Sequence, residues 1–92
     1  MSPAVRREVE IVNERGLHAR ASAKFVKTAA QFDAAVRVHR DGQTVDAQSI
    51  MGLMMLGAGI GSLLEIEAEG PEAEAAVEGL VRLVQARFDE DR

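Results

Sequence analysis

The segment LEIEAE at residues 64–69 alternates apolar and acidic residues without a break. Successive side chains of a β-strand point to opposite faces of a sheet, so the pattern predicts a strand that buries Leu64, Ile66 and Ala68 and exposes the glutamates between them. A sheet built from such strands needs helices on its apolar face only. We therefore expect an antiparallel α+β layer rather than a doubly wound parallel sheet, whose strands are apolar on both faces.

Three further segments show the same alternation more weakly. Residues 5–12 predict a first strand, and residues 35–40 and 43–47 predict the two strands of a hairpin. Asp41 and Gly42 lie between these two, and Asp-Gly is a strong hairpin signal because glycine tolerates the positive φ that a tight turn requires. The sheet should therefore have four strands.

Helical periodicity occurs in three places. Over residues 19–32, one helical face is apolar or small and the opposite stripe is basic. Ser49 is well placed as the N-cap of a short helix through Leu56, with a glycine after its last turn. Gly70 and Pro71 end the fourth strand and begin a last helix. The element order is therefore β-α-β-β-α-β-α.

The chain has 92 residues, the size of one domain, and no linker, repeat or low-complexity segment divides it. We expect a single domain over residues 1–92. Its formal charge of −4 argues against a protein that binds the backbone of nucleic acids. With no cysteine and two histidines, the sequence excludes disulfides and thiolate metal sites and argues against a closed zinc site. We expect neither a metal nor another cofactor.

The N-terminal segment MSPAVRREVE lacks the apolar core of a secretory signal. The most apolar stretch, residues 50–64, has 15 residues and is interrupted by four glycines. A helix that spans a bilayer needs about 20 apolar residues. We therefore expect no membrane insertion and a cytoplasmic location.

The segment RGLHARASAKFV places a histidine between a glycine turn and the start of the first helix. Gly16 suits the turn and Leu17 the core, so His18 falls at or just before the first helical residue, where backbone N–H groups have no intrahelical partner. The positive end of the helix disfavours an imidazolium and keeps a neutral, nucleophilic ring. The N–H groups of Ala19 and Arg20 can hold an anion beside it, and the guanidinium of Arg20 can bind phosphoryl oxygens. A histidine needs such groups to be phosphorylated reversibly.

Positive charge is concentrated around His18, on Arg15, Arg20, Lys24 and Lys27. This indicates an anionic ligand or an acidic partner surface. A histidine beside a helix start is nevertheless most often incidental, and the order Gly-Leu-His-Ala-Arg does not by itself decide between the two interpretations. The second histidine, His39, lies on the exposed face of a predicted strand, where we expect an ordinary surface residue.

The segment QSIMGLMMLG, residues 48–57, has apolar residues nearly all around a short helix. A helix this short cannot bury every side, so some of these side chains should be exposed. Exposed methionines make adaptable contact surfaces. The alternative is that all of them belong to the core of a small domain.

Taken together, GLHARASAKFV, the Asp-Gly hairpin, SIMGLMMLG and the element order resemble the HPr phosphocarrier family of the bacterial phosphotransferase system. The resemblance covers essentially the whole chain. It implies an open-faced β-sandwich with four antiparallel strands and three helices on one face. The FDED tail, the segment GPEAEAAVEGL and the run LMML look closer to the nitrogen-related, NPr-like branch than to the sugar branch.

The resemblance implies roles for particular residues. His18 matches the histidine that accepts the phosphoryl group on Nδ1, Arg20 matches the arginine that helps to hold the phosphate, and Ser49 matches a serine that a separate kinase phosphorylates in many members. The surface that docks on partner proteins is matched by Ser22, Ala23, Lys24, Lys27, Ile50, Met51 and Met54.

Two positions depart from the family pattern. Ala21 stands where the family usually has proline, and we expect this change to leave the phosphoryl chemistry intact. Gln48 stands where lysine is common beside the serine, which puts recognition by a kinase in question.

Two functions follow as hypotheses. In the first, the protein is a monomeric carrier, not an enzyme, which takes a phosphoryl group from an enzyme I-type protein on His18 and passes it to an enzyme IIA-type acceptor. In the second, it is a regulatory binding module switched by phosphorylation of Ser49, although helix capping alone would explain a serine there. A stand-alone hydrolase or metalloenzyme would lack a second acid-base partner and a ligand cluster near His18.

Overall fold

The predicted elements occur in the predicted order. The computed structural model describes residues 3–92, with strands β1 (Val5–Glu10), β2 (Ala35–Arg40), β3 (Gln43–Asp46) and β4 (Leu63–Glu69). Its helices are α1 (Ala19–Ala29), α2 (Ile50–Met55) and α3 (Ala73–Gln85), followed by a short 3-10 turn over Arg87–Asp89. That last turn was not predicted.

The four strands form one antiparallel sheet in the order β1-β4-β2-β3. On its inner face, Val9 lies opposite Leu64 and Val38 lies opposite Ile66, and all four side chains are buried. Helix α3 packs on β1 and β4, while α1 packs against both α2 and α3. The predicted α+β class, an open-faced β-sandwich, is confirmed.

The core is aliphatic apart from two rings. Phe25 of α1 and Phe88 of the last turn are the largest fully buried side chains, and aliphatic residues of the sheet and α3 surround them. Phe88 belongs to a tail, FDEDR, that is otherwise charged. Burial of this ring therefore holds the end of the described chain against the domain.

Two predicted elements end two or three residues earlier than expected, and β3 and α2 end one residue earlier. β1 stops at Glu10, although the next residue, Ile11, still exchanges backbone hydrogen bonds of 2.8 Å with Gly61 and Ser62 across an irregular loop. Helix α1 stops at Ala29 because the N–H groups of Gln31 and Phe32 bond three residues back, to Thr28 and Ala29, and tighten the chain into a turn. Hydrophobic periodicity alone does not distinguish such a turn from another helical turn.

Helix α3 begins two residues after Pro71, because Glu72 is held outside the helix. Its N–H donates to the Asp33 carbonyl at 3.0 Å, and its side chain accepts the N–H of Asp33 at 2.7 Å. This pair joins the loop before β2 to the start of α3. No pattern local to either segment predicts it.

The outer face of the sheet carries an ion-pair network centred on Glu67, whose side chain is 7% exposed. Arg6 of β1 approaches its carboxylate at 3.1 Å, and Arg37 of β2 approaches it at 3.2 Å. His39 contacts the same carboxylate through Nε2 at 2.7 Å, and its Nδ1 contacts Thr44 at 2.7 Å. His39 lies on the outer face of the sheet, as expected, but it is half-buried and both of its ring nitrogens have partners on neighbouring strands.

These partners hold Glu67 in its ionised form. Hydrogen bonds from Arg37 and then from His39 outweigh burial and lower the pKa of Glu67 from 4.5 to about 2. Two cations and a histidine, carried by β1 and β2, thus share one carboxylate of β4. The network ties β1, β4 and β2 together on the side of the sheet that has no helices.

Within residues 3–92, no helix is long and apolar enough to cross a membrane. The same part of the chain holds no group of three or more His, Cys, Asp or Glu side chains placed to bind a metal ion.

A pH titration of stability tests the Glu67 network. Because the pKa of Glu67 is lower in the folded chain than its ordinary value, its stabilising effect is complete above pH 4.5 and is lost as the pH falls towards about 2. Glu67→Gln should lower the urea midpoint at neutral pH and flatten its decline over that interval. Glu8→Gln, on the same face and outside the network, serves as the control. An equally steep decline in Glu67→Gln and the wild type would contradict this assignment.

Candidate functional site

A close backbone contact sets the loop that precedes α1. Gly16 has a φ of 65°, and a Cβ added there would lie 2.4 Å from the carbonyl oxygen of Ala58. Its N–H donates to the Asn13 carbonyl at 3.2 Å, and the N–H of buried Leu17 donates to the Ala58 carbonyl at 2.9 Å. The chain can therefore pass this point only with glycine, and it delivers the next residue, His18, to the start of the helix.

His18 is the N-cap of α1, as predicted, with an extended backbone at φ −70° and ψ 179°. Its carbonyl accepts the first intrahelical bond, from Ser22 N–H at 2.9 Å, and its ring makes no capping bond. The N–H groups of Ala19, Arg20 and Ala21 precede that bond and have no intrahelical partner. A ring and three amides thus stand together at the positive end of the helix.

Ala21, at the position where the resemblance leads us to expect proline, is fully buried in this first turn. Since its N–H has no acceptor in the helix, a proline here would remove no intrahelical bond. Alanine and proline are therefore both compatible with the start of α1, and the expectation that Ala21 leaves the chemistry intact stays a prediction.

Arg20 is exposed and makes no ion pair within residues 3–92. It lines an open depression of about 630 Å³ together with Arg15 and Lys24. The same depression is also lined by Arg92 and by the acidic side chains of Glu14, Asp89, Glu90 and Asp91. Three of the four cations near His18 in the sequence, Arg15, Arg20 and Lys24, are therefore also grouped in space.

The C-terminal tail covers one edge of the His18 ring. Nε2 of His18 contacts a carboxylate oxygen of Glu90, and both side chains are 16% exposed. The other oxygen of Glu90 accepts a hydrogen bond of 3.0 Å from Asn13, and the Phe88 carbonyl accepts one of 2.7 Å from Lys24. Glu90 was not among the predicted site residues. The one sequence signal for it was Phe88, an apolar residue in a charged tail.

Glu90 is ionised in this position. Burial alone would raise the pKa of its carboxyl, but hydrogen bonds from Asn13 and His18 and the nearby charge of Arg15 outweigh burial and lower the pKa. A carboxylate therefore faces Nε2 of His18 at neutral pH. A charged acceptor favours a proton on Nε2.

Ser49 caps α2, as predicted. Its hydroxyl oxygen accepts the N–H of Gly52 at 2.8 Å, and the glycine after the last turn, Gly57, has a φ of 63°. The serine is half-buried and stands next to exposed Ile50 and Met51. Capping accounts for a serine here without any regulatory role.

Some apolar side chains of α2 and of the residue after it are buried and others are exposed, as we expect for so short a helix. Leu53 and Leu56 are buried, whereas Met51 is 70% exposed and Met55 is 75% exposed. The remaining exposed large apolar side chains in this part of the chain are Ile50, Met54, Ile60 and Leu63. The expectation that some apolar side chains of this helix are exposed is confirmed. Ile50, Met51 and Met54 are among them, and Met55, which the docking residues did not include, is the most exposed of the group.

The predicted docking residues of α1 differ in accessibility. Lys27 is exposed, and Ala23 and Lys24 are half-buried. Ser22 is fully buried, and its hydroxyl donates to the Leu17 carbonyl at 3.1 Å. Placing Ser22 on the docking surface was wrong, because it lies on the same helical face as Phe25 and serves to close the first turn.

Comparisons with known proteins agree with this fold. The family model described as the PTS HPr component phosphorylation site matches residues 5–86. The chain is 48% identical over 86 residues to the phosphocarrier protein HPr of Cupriavidus necator, which covers 94% of this chain and 97% of that protein. A crystal structure of HPr-C-His from Thermoanaerobacter tengcongensis superposes with a TM-score of 0.91 at 41% identity, covering 96% of this chain and 99% of that one.

These matches define the molecule as a small phosphocarrier domain of the phosphotransferase system. The chain belongs to the HPr family. The phosphocarrier protein NPr of Shewanella violacea also matches, at 39% identity over 91% of this chain and 92% of that protein. Relatives of both names therefore match over nearly the whole chain, and the assignment to the nitrogen-related branch stays a prediction.

Substitution of Gly16 tests how the site is positioned. In Gly16→Ala the new side chain has to adopt a positive φ and would also clash with the Ala58 carbonyl. The variant should therefore lose more stability than the roughly 1–2 kcal/mol that a left-handed conformation alone costs. Gly42→Ala is the matched control, because it has a φ of 80° and nothing within 4 Å of an added Cβ. Urea unfolding measures both variants. Equal losses would show that the contact with Ala58 does not constrain the loop.

The cap of α2 can be tested in the same way. Ser49→Ala leaves the N–H of Gly52 without its partner and should destabilise the protein by about 0.5–2 kcal/mol. Ser49→Asp supplies another good cap and should recover most of that loss. Unchanged stability in Ser49→Ala would rule out a capping role.

Proposed function

We propose that His18 accepts the phosphoryl group in this phosphocarrier, and that Nδ1 forms the bond to phosphorus. The observation that carries the proposal is the position of the ring at the N-cap of α1, beside N–H groups that have no intrahelical partner. The other ring nitrogen, Nε2, already lies against Glu90. Nδ1 is therefore the nitrogen available for a new bond.

Transfer is an in-line exchange between two imidazoles. The lone pair of Nδ1 forms the new N–P bond, while the N–P bond of the donor histidine breaks and its electron pair returns to the donor ring. His18 keeps its Nε2 proton throughout. Passing the group to an acceptor histidine reverses these changes at His18, so the chain ends as it began. Positioning and stabilisation of the anion supply the catalysis.

The groups around Nδ1 supply that stabilisation. The N–H groups of Ala19 and Arg20 can donate to phosphoryl oxygens from the positive end of α1. The guanidinium of Arg20 is exposed and has no ion-pair partner in the described residues, so it is available to the same oxygens. We therefore assign to Arg20 the role of holding the phosphate.

The protein acts as a carrier rather than an enzyme, since it turns over only with a donor and an acceptor. By its family, the donor is an enzyme I-type protein charged from phosphoenolpyruvate, and the acceptor is an enzyme IIA-type protein. We propose that it meets both as a monomer in the cytoplasm.

Helices α1 and α2 form the docking surface in this proposal. They pack against each other, and together they present the exposed cations Arg20 and Lys27 beside the apolar side chains of Ile50, Met51 and Met54. Such a surface fits a partner with an acidic rim and an apolar centre. A phosphate placed on Ser49 by a serine kinase would put negative charge at the edge of this surface and would oppose docking.

The two histidines allow a matched test of the acceptor. Incubation with phosphoenolpyruvate and a cognate enzyme I should add one acid-labile phosphate to the wild type, measured by intact mass and phosphorus NMR. His18→Gln should take up none, whereas His39→Gln should take up one. A labile phosphate on His18→Gln would refute the assignment, provided that circular dichroism shows both variants folded.

A further inference from the structure

The segment from Arg87 to Glu90, which reaches His18, has a defined conformation in the fold. Arg87, Phe88 and Asp89 have φ values of 58°, 52° and 64°, a left-handed conformation that costs about 1–2 kcal/mol for each non-glycine residue. Such a turn persists only where its surroundings impose it. Here the ring of Phe88 is fully buried, and the N–H of Glu90 donates to the Arg87 carbonyl at 2.9 Å. The strain is retained in a segment whose next residue contacts the phosphoryl-accepting ring.

Asn13 fixes how the Glu90 carboxylate is presented. The Asn13 side chain is fully buried, and its amide nitrogen donates both to the Gly16 carbonyl at 2.9 Å and to one carboxylate oxygen of Glu90 at 3.0 Å. Both partners are acceptors, so the amide cannot be turned over. Its own oxygen, Oδ1, is buried without a partner in the described residues. The fold thus leaves Oδ1 of Asn13 without a hydrogen bond and directs the amide nitrogen of Asn13, a donor, to the Glu90 carboxylate.

We propose that Glu90 is a positioning residue for His18, and that it holds the ring as the Nε2–H tautomer with the lone pair of Nδ1 free to attack phosphorus. The inference deepens the proposed function and rests on it. The carboxylate has no proton to give, so the contact with Nε2 requires the ring to donate. A neutral imidazole carries one N–H, and a proton held on Nε2 leaves Nδ1 unprotonated.

The same geometry predicts what Glu90→Gln does. Asn13 still offers a donor, so the carbonyl oxygen of the new amide must face Asn13 and its NH₂ group must face His18. The ring then has to accept at Nε2, which moves its proton to Nδ1 and removes the nucleophile. A substitution that differs by one atom should thus invert the tautomer. Glu90→Ala removes both the acceptor and the donor that would face Nε2. Its ratio of the two ring tautomers should therefore lie between those of the wild type and Glu90→Gln.

The test measures tautomer and transfer separately. Nitrogen-15 NMR of the His18 ring, recorded at a pH high enough that its chemical shifts no longer change, reports which nitrogen carries the proton. We expect Nε2–H in the wild type, a mixture in Glu90→Ala and predominantly Nδ1–H in Glu90→Gln. The initial rate of phosphoryl uptake from a charged enzyme I should fall in that order, by about 10- to 100-fold for Glu90→Gln.

Asp91→Asn is the matched control, because it removes the same charge from the neighbouring tail residue without a contact to the ring. It should change neither the tautomer nor the rate. The positioning role is refuted if the His18 ring of Glu90→Gln keeps its proton on Nε2. It is also refuted if the rate of phosphoryl uptake falls by the same factor in Glu90→Gln and Glu90→Ala. These outcomes are independent of the acceptor test, since a labile phosphate on His18→Gln refutes the proposed function whatever the tautomer in the Glu90 variants.

Discussion

The backbone at Gly16 runs directly against the backbone at Ala58, and this contact places both helices of the site. It joins the loop before α1 to the loop after α2, so the N-cap histidine and the exposed methionines of α2 are held in one fixed arrangement. A side chain at Gly16 would force the two loops apart. The geometry around His18 thus depends on Gly16, a residue without a side chain.

Local patterns in the sequence were sufficient for most of the fold. The alternation around Ile66, the turn at Asp41 and Gly42 and the caps at His18 and Ser49 each depend on neighbours within a few residues, and each is found where the pattern predicts it. The error at the end of α1 has the same origin. A chain that bonds three residues back looks, by its apolar spacing, like a chain that bonds four residues back.

What could not be predicted depends on residues far apart in the chain. Glu90 and His18 are separated by 72 positions, and Glu67 and His39 by 28. In both pairs a carboxylate meets an imidazole across elements whose arrangement must be known first. Periodicity placed the glutamates of β4 on the outer face, but only the register of three strands shows that one of them is buried under two arginines and a histidine.

The buried ring of Phe88 has a practical consequence for work with this protein. Trimming by a carboxypeptidase that passed this residue would remove a piece of the interior together with the neighbour of the His18 imidazole. An affinity tag fused after Arg92 would extend from the segment that touches that imidazole. β1, in contrast, starts at Val5, at the end of the strand away from Asn13, so a purification handle placed upstream leaves the end of the molecule that carries His18 undisturbed.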